Sequence, residues 1–315
     1  MFSDVHTEFI LTPLMEILSD GVNACAPLPV GIENSALGEY FLQSLFLRMT
    51  GAQEQKMKCI CWVLATNDYR YRYEFLNIKK YGECSAYSDK KDIYKDISSL
   101  IHGLDNSFSP ISILDSVLLP EGREAEIEIK WKNSINTGRN NEAARIIADK
   151  ESHGIKLTDE AKGRIQTSIF NKPYPLEDLD SLIYAEKKSM FVRNIASRLE
   201  ALLENSPLTS WDPRGYQFFK EHYIDVLNKK QLILTENVFL GNQLQEYYKQ
   251  IVYEHRNRTA HNTMSFQKDI PTLSTFSDRS FVYKNYFFRF AILILIDEVF
   301  MMLFKKYRER GCESA

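Results

Sequence analysis

The residues best suited to chemistry lie in one short segment near the C-terminus, residues 254–262, with the sequence EHRNRTAHN. Arg256 offers a fixed fork of N–H donors that matches the shape of a phosphate group. His261 titrates near neutral pH and can act as a general acid or base. This pair could stabilise and cleave a phosphodiester without a metal ion.

If one helix runs through this segment, its geometry decides which side chains share a face. Asn257 lies four residues before His261 and Glu254 lies seven before it, so all three fall within about 40° of one line along the helix. Asn257 could then orient the imidazole. Glu254 could hydrogen-bond to His261 one turn away or pair with Arg258, four residues ahead.

Arg256 does not belong to that face. It lies roughly 140° around an ideal helix from His261, so the two side chains do not converge by themselves. Three arrangements would bring them together: a helix distortion near Thr259, a long arginine side chain that bends around the helix, or a two-fold dimer that joins two copies of the segment. The plain alternative is a basic helix end whose arginines meet solvent or the preceding carbonyl groups.

The run RNRTAH, from Arg256 to His261, resembles the R-N-x-x-x-H motif of the HEPN superfamily. The resemblance implies an all-helical protein whose members often act as metal-independent endoribonucleases, with two motifs meeting at a homodimer interface. It further implies that His261 is the general acid or base, Arg256 stabilises the phosphate, Asn257 orients the site and Arg258 contacts phosphate if it faces the groove.

The same resemblance implies RNA as the substrate and a role in toxin or antiviral (abortive-infection) defence, with a possible antitoxin or defence partner. Other HEPN-like proteins keep the fold only for binding, so a non-catalytic scaffold that binds RNA, a nucleotide or a protein is the main alternative. A helical interaction protein unrelated to this family is the third reading.

Residues 51–58 are similar to the helix that packs against the motif in some HEPN proteins, where a polar side chain supports the active site. Glu54 would be that side chain. The simpler interpretation is a solvated helix residue. Tyr69, Tyr71 and Tyr73, interleaved with arginines, could stack RNA bases or pack against neighbouring helices.

Apolar spacing predicts the elements that must position the segment. A stripe in residues 236–254 predicts a helix that leads directly into it. Residues 287–304 are the most apolar window, but Arg289, Asp297 and Glu298 interrupt it, which favours a buried bundle helix over a membrane span. Helical patterns also occupy residues 8–18, 37–47 and 57–64.

The expected fold is therefore all-α, a HEPN-like helical bundle with a helical insertion. We expect residues 1–100 to complete the bundle, residues 101–215 to form the insertion, and residues 216–315 to form the core that carries the motif. Within the middle region, residues 125–131 fit either a short edge strand or one helix face.

Composition narrows the functional classes. A chain of 315 residues with 44% hydrophobic and 26% charged residues is typical of a globular protein, and a net charge of −3 argues against one that coats nucleic acid. The first 20 residues lack the pattern of a secretory signal, which predicts a cytoplasmic protein that binds no membrane. Five cysteines without a paired spacing predict reduced thiols, and neither a cofactor nor a metal site is expected.

Overall fold

A computed structural model of the protein describes residues 5–28, 35–79, 81–227, 231–260 and 285–313. These residues form an all-α fold, as predicted, with one small hairpin. The helices are α1 (Val5–Leu11), α2 (Leu14–Cys25), α3 (Ser35–Asn67), α4 (Tyr69–Asn77), α5 (Tyr87–Leu104), α6 (Arg123–Ser152), α7 (Asp159–Phe170), α8 (Leu176–Leu203), α9 (Pro207–Trp211), α10 (Pro213–Val226), α11 (Asn242–Tyr248), α12 (Glu254–Ala260) and α13 (Tyr286–Glu313). A 3₁₀ segment spans Pro110–Ser116 and a π-helical segment spans Lys249–Tyr253.

The chain divides into two compact units. The larger comprises Met1–Ser116 together with Phe191–Ala315, and the smaller comprises Val117–Met190. The smaller unit lies within the stretch 101–215 that the sequence analysis assigns to an insertion. Both ends of the chain contribute to the larger unit, which holds the segment with the candidate motif.

The smaller unit is built from α6, α7 and the first part of α8. Residues 125–131, whose sequence fits either an edge strand or a helix, belong to α6. Arg139 of that helix donates hydrogen bonds to the carbonyl oxygens of Phe170 and Pro173, at 3.1 Å each, and its guanidinium lies 4.5 Å from the ring centroid of Tyr174. These bonds satisfy carbonyl groups at and beyond the end of α7 that the helix itself leaves unpaired.

The larger unit is organised around α3 and α13. The two predicted stretches 37–47 and 57–64 belong to one helix of 33 residues, α3. Helix α13 is buried along most of its length, as predicted for residues 287–304, with Phe287, Phe288 and Phe290 fully inaccessible to solvent. In the described residues, no helix is long and apolar enough to cross a membrane.

A buried ion pair joins α3 to α13. Lys56 Nζ lies 2.7 Å from Asp297 Oδ1, and the side chains are 3% and 2% exposed. Asp297 Oδ2 accepts the backbone N–H of Leu14 at 2.8 Å, and Lys56 also donates to the carbonyl oxygen of Thr12. One ion pair therefore also fixes the start of α2 against both long helices.

The helix predicted over residues 236–254 begins six residues later in the structure, at Asn242. Val238–Leu240 instead pairs with Leu232–Thr235 in an antiparallel hairpin, and α11 begins at Asn242. Leu240 is buried in the hairpin, as a residue of an apolar stripe is in a helix, so its apolar character does not distinguish helix from strand. Gly241 separates the hairpin from the helix.

Replacing Lys56 with Met should strand the Asp297 charge in the core. Breaking a buried pair by removing one partner costs about 3–5 kcal/mol, because the remaining charge is unpaired. We expect Lys56→Met to lower the free energy of unfolding by that amount, measured by urea denaturation at pH 7. Adding Asp297→Asn, which removes the charge and keeps an acceptor for Leu14, should recover most of the loss. A double variant as unstable as Lys56→Met would contradict this account.

Candidate functional site

Arg256 and Asn257 of the candidate motif lie on α12, which continues from α11 through the π-helical segment Lys249–Tyr253. A π segment inserts extra backbone into a helix and leaves carbonyl groups without their regular partners. Arg289 of α13, buried at 7% exposure, donates its Nε–H to the carbonyl oxygen of Ile251 at 2.8 Å. The helix distortion thus precedes Arg256, and α13 stabilises it. Thr259 itself lies in the regular α-helix Glu254–Ala260.

His255 anchors α12 in the core. Its Nε2 lies 3.2 Å from the Tyr286 hydroxyl, which donates to Glu39 Oε1 at 3.0 Å. Because that hydroxyl proton is directed to Glu39, His255 bonds to Tyr286 by donating its own Nε2–H. Burial lowers the pKa of His255 to about 3, with Arg289 and Arg258 adding repulsion. His255 is therefore a neutral packing residue and not the acid–base group of the segment.

Arg256, the next residue, is held in place by Glu54 of α3. Its Nη2 lies 2.9 Å from Glu54 Oε2, and its Nη1 donates to Asn257 Oδ1 at 3.2 Å. The Arg256 side chain is 18% exposed and that of Glu54 is 11% exposed. These bonds use two of the five N–H donors of a guanidinium and fix its plane. Among the described residues, the other N–H groups have no acceptor, so they could donate hydrogen bonds to an anion.

A small cavity adjoins the ion pair. Its volume is about 10 Å³, and its walls include Thr50, Glu54, Ser85, Lys90 and Arg256. Oε1 of Glu54 is buried and has no hydrogen-bond partner among the described residues. We refer to Glu54, Arg256, Asn257 and this cavity as the Arg256 site.

The structure brings some predicted site residues together and leaves others apart. Arg256 and Asn257 contact each other, and Glu54, predicted only from the similarity of residues 51–58, is the partner of Arg256 on α3. Glu254 and Arg258 lie on exposed positions of α12. His261 lies outside the described residues, so its predicted contacts with Asn257, Glu254 and Arg256 stay predictions.

Lys90 also lines this cavity and was not predicted as a site residue, although its position in the sequence indicates that it is buried. On α5, Lys90 occupies one line with Ile93, Tyr94, Ile97 and Ile101, all buried. A lysine inside an apolar stripe at helical spacing is unusual, because a buried ammonium needs a polar environment. Ser85 and Tyr248, which also line the cavity, carried no comparable signal.

The tyrosines after Asp68 were predicted either to stack on RNA bases or to pack against neighbouring helices, and the structure separates them by burial. Tyr71 is buried, whereas Tyr69 and Tyr73 are exposed. Arg72 donates to the carbonyl oxygens of Ala65 and Thr66 at 2.7 and 2.9 Å, where it satisfies the end of α3. The segment is therefore partly a packing element, and its exposed tyrosines remain compatible with base stacking.

Comparison of the chain with protein-family models, with curated proteins and with solved structures found no match. Within the part of the chain that the structure describes, no group of three or more histidine, cysteine, aspartate or glutamate side chains is arranged to hold a metal ion. The function is therefore inferred from the Arg256 site itself.

The buried His255 should make stability depend on pH. Its folded pKa of about 3 lies below its ordinary value, so the unfolded chain binds the proton and the stabilisation present above pH 6.5 is lost as the pH falls toward 3. Relative to His255→Phe, wild type should lose about 2 kcal/mol between pH 6.5 and 5. Urea denaturation at several pH values measures this difference. Parallel pH curves for the two proteins would show that His255 is not held neutral.

Proposed function

We propose that the protein is a metal-independent endoribonuclease of the HEPN type, in which Arg256 and His261 act on an RNA phosphodiester. The observation that supports this most is the contact between Arg256 and Glu54, which holds a guanidinium in one orientation between α3 and α12. A fixed guanidinium that retains N–H donors is the group needed to stabilise a phosphate as negative charge develops on it.

The proposed reaction uses the ribose of the substrate as the nucleophile. The 2′-hydroxyl loses its proton to a base as its oxygen bonds to phosphorus, and the bond from phosphorus to the 5′-oxygen breaks as that oxygen is protonated. His261 serves as general acid or base, Arg256 stabilises the phosphorane and Asn257 maintains the orientation of Arg256. Arg258, exposed on α12, contacts a neighbouring phosphate. The products carry a 2′,3′-cyclic phosphate and a 5′-hydroxyl.

A homodimer belongs to this proposal. On a straight helix Arg256 and His261 point roughly 140° apart, and the π segment precedes both residues, so it does not reduce the angle between them. Two copies of α12 related by a two-fold axis would let Arg256 of one subunit act with the partner's His261.

The biological setting follows from the resemblance to HEPN proteins. We propose a cytoplasmic role in toxin or antiviral defence, with an antitoxin or another defence protein as a possible partner. In this scheme α3 supplies part of the nuclease bundle, in agreement with its contacts to α12 and α13, and the smaller unit is an insertion.

One observation favours the non-catalytic alternative. Arg256 is largely buried and already paired with a carboxylate, which partly neutralises the charge it could offer a phosphate. In that case the protein would be a HEPN-like scaffold that binds RNA, a nucleotide or a protein without cleaving RNA.

Incubating the purified protein with total RNA in the presence of EDTA tests the proposal. Wild type should produce fragments with cyclic-phosphate ends, and an all-DNA strand should remain intact because it lacks the 2′-hydroxyl. Arg256→Ala and His261→Ala should each reduce the cleavage rate by about 100-fold or more. Arg214→Ala, at an exposed arginine of α10, is the control and should cleave like wild type.

Two results would reject the assignment. Cleavage that survives both Arg256→Ala and His261→Ala would place the chemistry elsewhere, and a strict requirement for a divalent metal would exclude the proposed mechanism. Intact RNA with a folded wild-type dimer would favour the scaffold.

A further inference from the structure

A second cation, Lys90 of α5, lies at the Arg256 site and is not used in the proposed mechanism. The residue is 1% exposed, and its ammonium donates to the carbonyl oxygens of Cys84 at 2.6 Å and Ser85 at 3.2 Å. An ammonium has three N–H donors. The third has no hydrogen-bond acceptor among the residues that the structure describes.

One cavity is therefore lined by a donor without a hydrogen-bond acceptor and by an acceptor without a donor, and its wall includes Tyr248, whose ring centroid lies 5.4 Å from the Lys90 ammonium. The acceptor is Glu54 Oε1, which is buried and without a partner in the described part of the chain. The cavity volume of about 10 Å³ is close to the space that one water molecule needs. Water can accept a hydrogen bond from an ammonium and donate one to a carboxylate, so a single molecule would satisfy both groups.

We propose that Lys90 is a positioning residue of the Arg256 site, which holds the Glu54 carboxylate through one buried water molecule. Glu54 is then shared between two cations, and the cluster of Glu54, Lys90 and Arg256 carries a net charge of +1. Without the Lys90 charge the cluster is neutral and the carboxylate pairs with Arg256 alone. The catalytic consequence rests on the proposed function: a cluster of charge +1 binds a phosphate more tightly than a neutral one.

A simpler structural role for Lys90 is to clamp the turn at Cys84 and Ser85. Cys84 has a φ of 60°, an uncommon conformation for a residue other than glycine. Tyr248, just before the π segment, also donates to the carbonyl oxygen of Ser85, at 2.7 Å. A clamp alone leaves only the direct repulsion between Lys90 and Arg256, which does not require Glu54. A measurement of the link between the two cations with and without the Glu54 carboxylate therefore separates the two roles.

The Lys90 charge can be switched by pH. Burial lowers the pKa of Lys90 to about 8; Glu54, Cys84 and Asp89 oppose the shift, and Arg256 adds to it. Burial raises the pKa of Cys84 to about 11 and that of Tyr248 above its ordinary value. Raising the pH from 7 to 9 therefore discharges Lys90 while these two neighbours keep their protons.

The test uses the full-length protein without RNA. The ¹³Cζ resonance of Arg256, assigned by its loss in Arg256→Lys, is followed by NMR from pH 6.5 to 9.5. Wild type should show a shift with a midpoint near pH 8. Lys90→Met should abolish this transition, whereas Lys91→Met, which removes a positive charge from the next position of α5, should preserve it. Glu54→Gln should reduce the amplitude of the transition severalfold, because the proposed link between the two cations runs through the Glu54 carboxylate.

A resonance that stays constant with pH in wild type would overturn the proposal, and so would a transition that persists in Lys90→Met or keeps its full amplitude in Glu54→Gln. If Lys90→Met does not fold, the wild-type titration is compared with that of Lys90→Gln, which also lacks the Lys90 charge and should also lack the transition. Where RNA is cleaved, Lys90→Met should lower kcat/KM at pH 7 by roughly fivefold and remove the loss of activity near pH 8. If the Arg256 resonance titrates as expected but no RNA is cleaved, the proposed function is rejected and the positioning role of Lys90 stands.

Discussion

The negative charge of Glu54 must be balanced inside the protein, and Arg256 balances it. The two residues are 202 positions apart in sequence, yet their charged groups lie 2.9 Å apart. A carboxylate that is largely removed from water needs a cation and hydrogen bonds nearby, or it becomes costly to bury. This contact joins α3 to α12 and fixes the orientation of the residue to which we assign phosphate binding.

Other polar residues of α3 impose the same kind of constraint on α13. Gln53, next to Glu54, donates to the carbonyl oxygen of Leu293 at 2.9 Å, and Lys56 pairs with Asp297. From the opposite direction, Arg289 of α13 bonds to the π segment that leads into α12. The three elements are thus connected by polar contacts as well as by apolar packing. Such contacts have strict geometry, so they define the position of Arg256 more sharply than hydrophobic burial alone.

The sequence predicts the helical class well, because long apolar stripes at helical spacing leave few alternatives. The predicted start of the helix before the motif is wrong, because a buried leucine such as Leu240 fits a helix or a strand equally. The sequence also could not reveal the π segment, since Lys249–Tyr253 has no residue type that distinguishes a π turn from an α turn. At the Arg256 site, the resemblance to the HEPN motif predicts Arg256 and Asn257, and the similarity of residues 51–58 points to Glu54. The contact between them depends on long-range packing that spacing does not encode.

The most direct test of the account is a double-mutant cycle between Glu54 and Arg256, measured as the rate of RNA cleavage in the presence of EDTA. If Glu54 acts by holding Arg256, its removal should matter only while Arg256 is present. Glu54→Gln should slow wild type by roughly tenfold or more, yet slow Arg256→Ala by less than about twofold. Equal effects of Glu54→Gln in both backgrounds, or no effect in wild type, would contradict the central claim that this ion pair assembles the active site.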